Sequence, residues 1–409
     1  MSNKRNPAIV FIFITIVIDV LGIGIIIPVI PKILQELTGK GLSEASQYAG
    51  LLMSSYAIMQ FIFSPIIGGL SDKYGRRPVI LASLFGFFFD YMILVFAPTL
   101  VWLFVARLIA GITGASFTTA TAYIADISTD ENRSKNFGMV GAAFGVGFII
   151  GPTIGGILGE YGSRVPFMFA AGLTLINALY GYFILPESLS KENRREFDWK
   201  RANPVGSLKN FGRFPALLGL IGALFFIQVA GQSHPSTWAY FTMKEFGWTT
   251  KEVGYSLGFV GFMVALVQGG LNRIINPKIG DRNSVIVGLL FYGTGFILFS
   301  LATKGWMMYA FMIPFGLGGI AGPALQSLIT KQVAPNEQGE LQGGITSLQS
   351  LTTIIGPLVA SNLFSYYSDG KDHFQFPGAA FFMAGILTFL ALAVALKSFP
   401  KKQDVISKV

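Results

Sequence analysis

Four ionisable side chains lie inside or at the ends of long apolar runs: Asp19, Asp90, Arg107 and Asp126. A charge at the centre of a bilayer costs at least about 2.5–3.5 kcal/mol, so such residues face a cavity or a partner and do work there. Desolvation disfavours the charged form of a carboxylate, and a carboxylate poised in this way can trade a proton. Asp19 and Asp90 are therefore the candidate proton-coupling groups, with Arg107 as the counter-charge that tunes one of them. A structural ion pair is the alternative for Arg107. Asp126, at the end of its run, is expected to tie loops together. No acidic residue sits in the middle of an apolar run after residue 213, which confines any coupling carboxylate to the first half.

A second chemical feature is the string Gly68-Gly69-Leu70-Ser71-Asp72-Lys73-Tyr74-Gly75-Arg76-Arg77-Pro78. A carboxylate at a helix end, followed across a tight turn by three cations, can accept charge-assisted hydrogen bonds from arginine or from a helix N-terminus. Such a latch holds in one state and breaks in another. Gly68, Asp72, Lys73, Gly75, Arg76 and Arg77, joined by Asp126, form the candidate gate; a solvated basic loop is the plainer alternative. Further along, Gly141, Gly145, Gly147, Gly151-Pro152, Gly155-Gly156 and Gly159 share one run, several of them four residues apart. Small residues at that spacing make a flat stripe for close helix packing.

The second half carries neutral groups within its runs: Gln228, Gln232, Trp238, Gln268, Tyr292, Gln326 and Gln349. With Gln60 and some of the 38 phenylalanines they can line a mostly apolar cavity with a few orienting hydrogen bonds. Each is equally readable as a helix–helix contact. His234 and His373 are far apart and read as packing or surface residues rather than a proton relay. Two dispersed histidines and no cysteine leave no metal, disulfide or nucleophile cluster to assemble. The expectation is a protein that is not an enzyme and needs no cofactor or metal.

These side chains need elements that can hold them in lipid. The chain has 409 residues, 52% hydrophobic and only 12% charged, against roughly 25% charged in a soluble domain. Its surface must face the bilayer, and the apolar runs approach the roughly 20 residues a spanning helix needs. Twelve helices are expected, near 7–31, 47–70, 79–97, 100–125, 137–160, 165–185, 213–240, 252–274, 284–302, 305–330, 341–366 and 376–397. The run after Lys4 and Arg5 is too long for a signal-peptide core and reads as the first span. The net charge of +9 is distributed over short loops, which fits membrane orientation rather than nucleic-acid binding. With the N-terminus inside, inner segments hold 22 Lys and Arg and outer loops 7. Both termini and the polar 186–212 connector are therefore expected in the cytoplasm. A six-helix bundle lies on each side, at 1–185 and 213–409.

The halves look like diverged copies at an offset of 205 residues: Lys73, Gly75 and Arg77 fall on Lys278, Gly280 and Arg282, and Gly151-Pro152 on Gly356-Pro357. Gly111 and Gly114 fall likewise on Gly316 and Gly319, and Gly138 on Gly343. Two parallel six-helix repeats with a substrate site near the midplane are the architecture of the major facilitator superfamily.

The motifs narrow the resemblance. The loop Gly68–Pro78 matches that superfamily's G-x-L-a-D-r-x-G-r-r signature, and Gly147–Gly156 resembles the G-x-x-x-G-P-x-x-G-G signature of its drug antiporters. Adding Asp19–Pro31, Tyr56–Gln60, Asp90-Tyr91, Arg107–Ala115, Ile124–Asp126, Gly231-Gln232 and Pro323–Gln326, nearly the whole chain resembles the tetracycline/proton antiporters of Gram-negative bacteria. That resemblance implies export of a drug across the bacterial inner membrane in exchange for a proton. It implies that Asp19 and Asp90 are the carboxylates needed for transport, Asp72 and the arginines after it the gate, Arg107 and Asp126 a charge pair, and Gln268 a drug-pathway residue. Two positions depart from the family. Its histidine four residues before that glutamine is Val264 here, and its aspartate before G-T-G is Tyr292. The expected partners are a small-molecule substrate, protons and the lipid bilayer, with no nucleic acid, and the expected state is a monomer. A symporter or facilitator for an endogenous metabolite is the alternative.

Overall fold

The computed structural model describes residues 7–114, 116–129, 132–197, 199, 210–334, 337–370 and 374–399. Lys4, Arg5, Ala115, His373, residues 200–209 of the connector and the tail from 400 lie outside the described residues. Every regular element among the described residues is helical. In the first half these are α1 (Pro7–Ile26), α2 (Ile30–Thr38), α3 (Leu42–Tyr74), α4 (Arg76–Phe96), α5 (Leu100–Thr113), α6 (Ser116–Asp126), α7 (Arg133–Gly159) and α8 (Val165–Ile184). The second half contributes α9 (Leu218–Phe246), α10 (Thr250–Leu266), α11 (Asn272–Ser300), α12 (Gly305–Leu317), α13 (Ala321–Thr330), α14 (Gln338–Ser368) and α15 (Ala379–Ser398).

Nine stretches among the described residues are long and apolar enough to cross a bilayer. One of these, Thr250–Ser300, is two spans, because the backbone leaves helical geometry at Gly280 (φ 78°, ψ 161°). The 29-residue α9 and the 31-residue α14 exceed the length a span requires and complete twelve. The fourth and tenth spans are each built of two helices in series, α5 with α6 and α12 with α13.

Hydropathy placed the spans but not their ends. The first apolar run is cut after Ile26, because Pro28 has no N–H to continue the ladder and Pro31 instead opens the short helix α2. The second span starts at Leu42 and runs to Tyr74, reaching beyond its apolar stretch into polar residues at both ends. α10 is followed directly by a π-turn at Val267–Leu271, which includes Gln268.

The chain forms two compact units. One contains Met1–Pro204 with Thr242–Phe262, the other Val205–Phe241 with Met263–Val409. The core of the first is built around Phe11, Ile12, Ile80, Leu84, Tyr123 and Ala143. That of the second gathers Leu220, Leu289, Leu325, Leu341 and Ala391. Large apolar side chains such as Phe183, Ile176 and Trp306 remain exposed, which suits a lipid-facing surface. Each unit has one loop whose glycine adopts the same left-handed backbone: Gly75 (φ 105°, ψ 160°) and Gly280 (φ 78°, ψ 161°). Only glycine enters that region without a Cβ clash, which is why it survives at both positions of the 205-residue offset.

Candidate functional site

Inside the first unit, α4 and α5 bring Asp90 and Arg107 together. Arg107 Nη2 donates to both carboxylate oxygens of Asp90, at 2.9 and 2.7 Å. Asp90 is 1% exposed. The Arg107 Nε is also buried and has no hydrogen-bond partner among the described residues. Asp19 on α1 and Tyr56 on α3 share the electrostatic surroundings of this pair. Gln60 lies one turn beyond Tyr56, its amide nitrogen 3.4 Å from the Tyr56 hydroxyl and 3.5 Å from the carbonyl of Gly114.

Glycines explain how the helices come this close. Arg107, Gly111 and Gly114 are spaced along one face of α5, and a Cβ at Gly111 would meet the backbone carbonyl of Tyr56 at 2.5 Å. A Cβ at Gly86, one turn before Asp90, would occupy the space of the Thr113 side chain, and one at Gly22, near Asp19, that of the Tyr91 hydroxyl. The charges are thus set on helices whose glycines let them pack closely.

The gate loop forms a network around Arg76. Its Nη1 donates to Ser71 Oγ (2.6 Å) and Asp72 Oδ1 (2.5 Å), and its Nε to Asp126 Oδ2 (3.1 Å). Lys73 pairs with Glu196 at 2.7 Å, and Arg77 donates to the Tyr182 carbonyl at 2.6 Å. Sequence reading missed Glu187, whose carboxylate accepts from the backbone N–H of Arg76 (2.8 Å) and Arg77 (3.2 Å). It supplies the partner that the first turn of α4 lacks. Ser188 adds a hydrogen bond to Asp126 at 2.9 Å. The only sequence signal was a lone carboxylate where the polar connector begins.

One expectation is corrected. Arg107 and Asp126 do not pair with each other: Arg107 holds Asp90, and Asp126 holds Arg76. The two are 19 residues apart along one span, about 28 Å at 1.5 Å per residue.

Replacing Arg76 by alanine removes a fork that binds three acceptors, and Arg76→Lys keeps the charge but not the fork. Both variants are expected to lower transport, with lysine recovering only part of it. Uptake or efflux assays at matched protein levels check this.

The glycine stripe of α7 splits into two faces. Gly147, Gly151 and Gly155 lie against α1: a Cβ at Gly151 would be 2.6 Å from the Leu21 carbonyl, and one at Gly155 2.7 Å from Ile25 Cα. Pro152 seats its ring on Gly24. Gly156 and Gly159 face the start of α10, where a Cβ at Gly156 would sit 2.8 Å from Gly254 Cα. Thr250 donates to Glu160 at 2.8 Å at the end of this seam. That hydrogen bond, assisted by Lys251 N–H and the charge of Lys32, outweighs the effect of burial and holds the Glu160 carboxyl below its usual range. A depressed carboxylate stabilises its contacts at neutral pH and loses them as pH falls through the lowered value. Trp248 lines a cavity of about 440 Å³ beside Glu160. Its emission is therefore expected to change on acid titration in the parent and not in Glu160→Gln.

The second unit gathers the neutral residues without ionic partners. Gln232 reaches Thr353 at 3.3 Å, and Gln326 reaches Gln342 at 3.3 Å. Gln268 lies in the π-turn near Gly319. Gln268, Gln326, Gln349 and Val264 are exposed, whereas Gln228 is half-buried. Tyr292 stacks on Phe315 (5.0 Å between ring centroids), and Phe315 stacks in turn on His234 (5.2 Å). Trp238, fully buried, packs against His234 and Phe299. Trp238 and His234 thus sit in an aromatic core, which gives His234 the packing role expected for it.

Two six-helix repeats, a G-x-L-x-D loop folded around an arginine, and ionisable groups buried in the spans define a multi-pass transporter fold. The profile of the Major Facilitator Superfamily matches residues 12–278 and 273–408, and the chain belongs to that superfamily. Within it, the chain is 39% identical over 362 residues to the class C tetracycline resistance protein of Escherichia coli, covering 88% of this chain and 91% of that protein. It is 30% identical over 410 residues to multidrug resistance protein 2 of Bacillus subtilis (strain 168), covering 98% of each. The crystal structure of the human organic anion transporter MFSD10 shares the fold, with a TM-score of 0.69 at 22% identity over 97% of this chain and 100% of that one.

Proposed function

We propose that this protein is a proton-coupled antiporter that exports apolar or cationic drugs across the bacterial inner membrane. In this reading both termini are cytoplasmic and the monomer is the working unit. The bundles 1–185 and 213–409 alternate access to a central site, joined by the connector 186–212.

The observation that carries the reading is the buried pair Asp90–Arg107 with Asp19 and Tyr56 around it. A carboxylate kept in a span against its desolvation cost has a charge to trade. Protonation of Asp90 removes the negative partner of Arg107 and frees the guanidinium. Asp19, which acts with Asp90 and Arg107 on Tyr56, supplies a second carboxylate to the same cluster. Proton arrival and drug departure are then linked through one set of charges.

The character of the substrate follows from the other unit. Gln232, Gln268, Gln326 and Gln349 offer amide hydrogen bonds, and Tyr292 offers an aromatic edge. With Val264 and Tyr292 in place of the relatives' histidine and aspartate, this half offers no carboxylate or imidazole at those two positions to a metal–drug complex. That favours apolar or cationic drugs over a metal-bound one, and the similarity to a multidrug resistance protein supports the same direction.

The test is a drug-susceptibility panel in an efflux-deficient host, comparing the parent with Asp19→Asn. Protection against several apolar or cationic drugs, lost in the variant, is the expected result. In proteoliposomes, adding drug should release protons; proton uptake would instead identify a symporter. Strong efflux of tetracycline that depends on a divalent metal would overturn the substrate assignment.

A further inference from the structure

The two repeats carry ion pairs at equivalent positions with the charges exchanged. In the first unit Arg76 donates to Asp126 at 3.1 Å. Adding the 205-residue offset gives Asp281 and Lys331, and these pair in the second unit at 2.7 Å. Each pair ties the residue that follows the left-handed glycine, Gly75 or Gly280, to the end of the span two helices later, at α6 or just after α13. Both pairs recruit a serine hydroxyl. Ser71 accepts from Arg76, and Ser327 donates to Asp281 at 2.7 Å. The sign of each hydrogen bond follows the sign of the charge it supports.

The offset puts Pro277 where the first loop has Asp72. The second loop therefore lacks the carboxylate one turn before its charged residue, and Asp281 is held by Lys331 and Ser327, with the Asn276 side chain as a further hydrogen-bond partner. The Asp281 side chain is 16% exposed while that of Lys331 is 69% exposed. A wholly exposed pair would contribute little, whereas a mostly buried carboxylate with a single cation depends on that cation.

We infer that Asp281 and Lys331, with Ser327, form a brace of reversed polarity that fixes the start of the ninth span to the end of the tenth. The brace is a positioning device that keeps the second repeat rigid while the repeats rock. It does the same mechanical job as Arg76–Asp126 and requires the pair rather than a particular sign at either position. The inference rests on the transporter reading for its functional consequence but not for its structural one.

The chain has no cysteine, so one introduced thiol reports without background. Ser284, one turn after Asp281, is fully buried, and its hydroxyl has no hydrogen-bond partner among the described residues. Ser284→Cys is made alone and with Asp281→Asn, Lys331→Met, Lys331→Arg, and the exchange Asp281→Lys/Lys331→Asp. Fluorescein maleimide labelling of the detergent-solubilised full chain is timed. Ethidium and tetracycline efflux from proteoliposomes gives kcat and KM for the same charge variants.

Each neutralising variant is expected to speed labelling and lower kcat by about fivefold, with KM little changed. Lys331→Arg and the exchanged pair are expected to return both readings to within about twofold of the parent. Equal labelling in the parent and the neutralised variants would overturn the inference. So would an exchanged pair that labels as fast as the single variants. If the parent moves neither drug, the export reading fails, while the labelling series still decides the brace.

Discussion

Asp90→Asn is expected to abolish coupled drug export. The carboxylate is 1% exposed and receives both of its hydrogen bonds from one nitrogen of Arg107, at 2.9 and 2.7 Å. An amide of the same shape still accepts a hydrogen bond, but it neither takes up a proton nor balances the guanidinium. The substitution therefore removes the exchangeable charge and leaves Arg107 uncompensated in a span. Removing one partner of a buried pair costs about 3–5 kcal/mol, more than removing both. Folded protein must then be measured beside export. The expected pattern is background efflux in Asp90→Asn even at matched amounts of folded protein. Asp90→Asn combined with Arg107→Gln should regain stability without regaining export. Full proton-coupled efflux by the single variant would take Asp90 out of the coupling role.

Gly151→Val is expected to have the largest effect on the fold itself. Any Cβ at this position would stand 2.6 Å from the Leu21 carbonyl and 3.1 Å from Gly24 Cα. Both contacts are backbone, so no rotamer change relieves them, and α7 must move away from α1. Asp19 lies on the same stretch of α1, within one turn of Leu21. Overpacking a tight core typically costs about 1–3 kcal/mol, and a clash against backbone belongs at the upper end. Lower yield of folded protein, a lower unfolding temperature in detergent and loss of export are expected together. Gly145→Val is the control, because a Cβ at Gly145 meets nothing within 4 Å. Equal stability of the two variants would show that the stripe packs more loosely than its geometry demands.

How much of this was legible in the chain varies with the range of the interaction. Asp19, Asp90 and Arg107 stood out because a charge in an apolar run is conspicuous in one dimension. The loop around Asp72 was equally plain, since its turn glycine and its charges are adjacent in sequence. The partner of Arg107 was not legible: the choice between Asp90 and Asp126 depends on which helix crosses α5 at its depth. Glu187 was overlooked for the same reason, since it caps α4 from 111 residues away.

The twelve apolar spans, the doubling of the chain at a 205-residue offset and the lack of an acid in the middle of any apolar run of the second half are properties of the sequence by itself. Solvent transfer and residue spacing act locally, and no partner is needed to read them. Tertiary structure alone decided that the α7 stripe has two faces, one for α1 and one for α10. It also decided that Trp238 and His234 are packed in an aromatic core. The exchanged polarity of Arg76–Asp126 and Asp281–Lys331 depends on both kinds of information. The residues are visible in the chain, but a pair exists only where folding brings residues 50 positions apart within hydrogen-bonding distance.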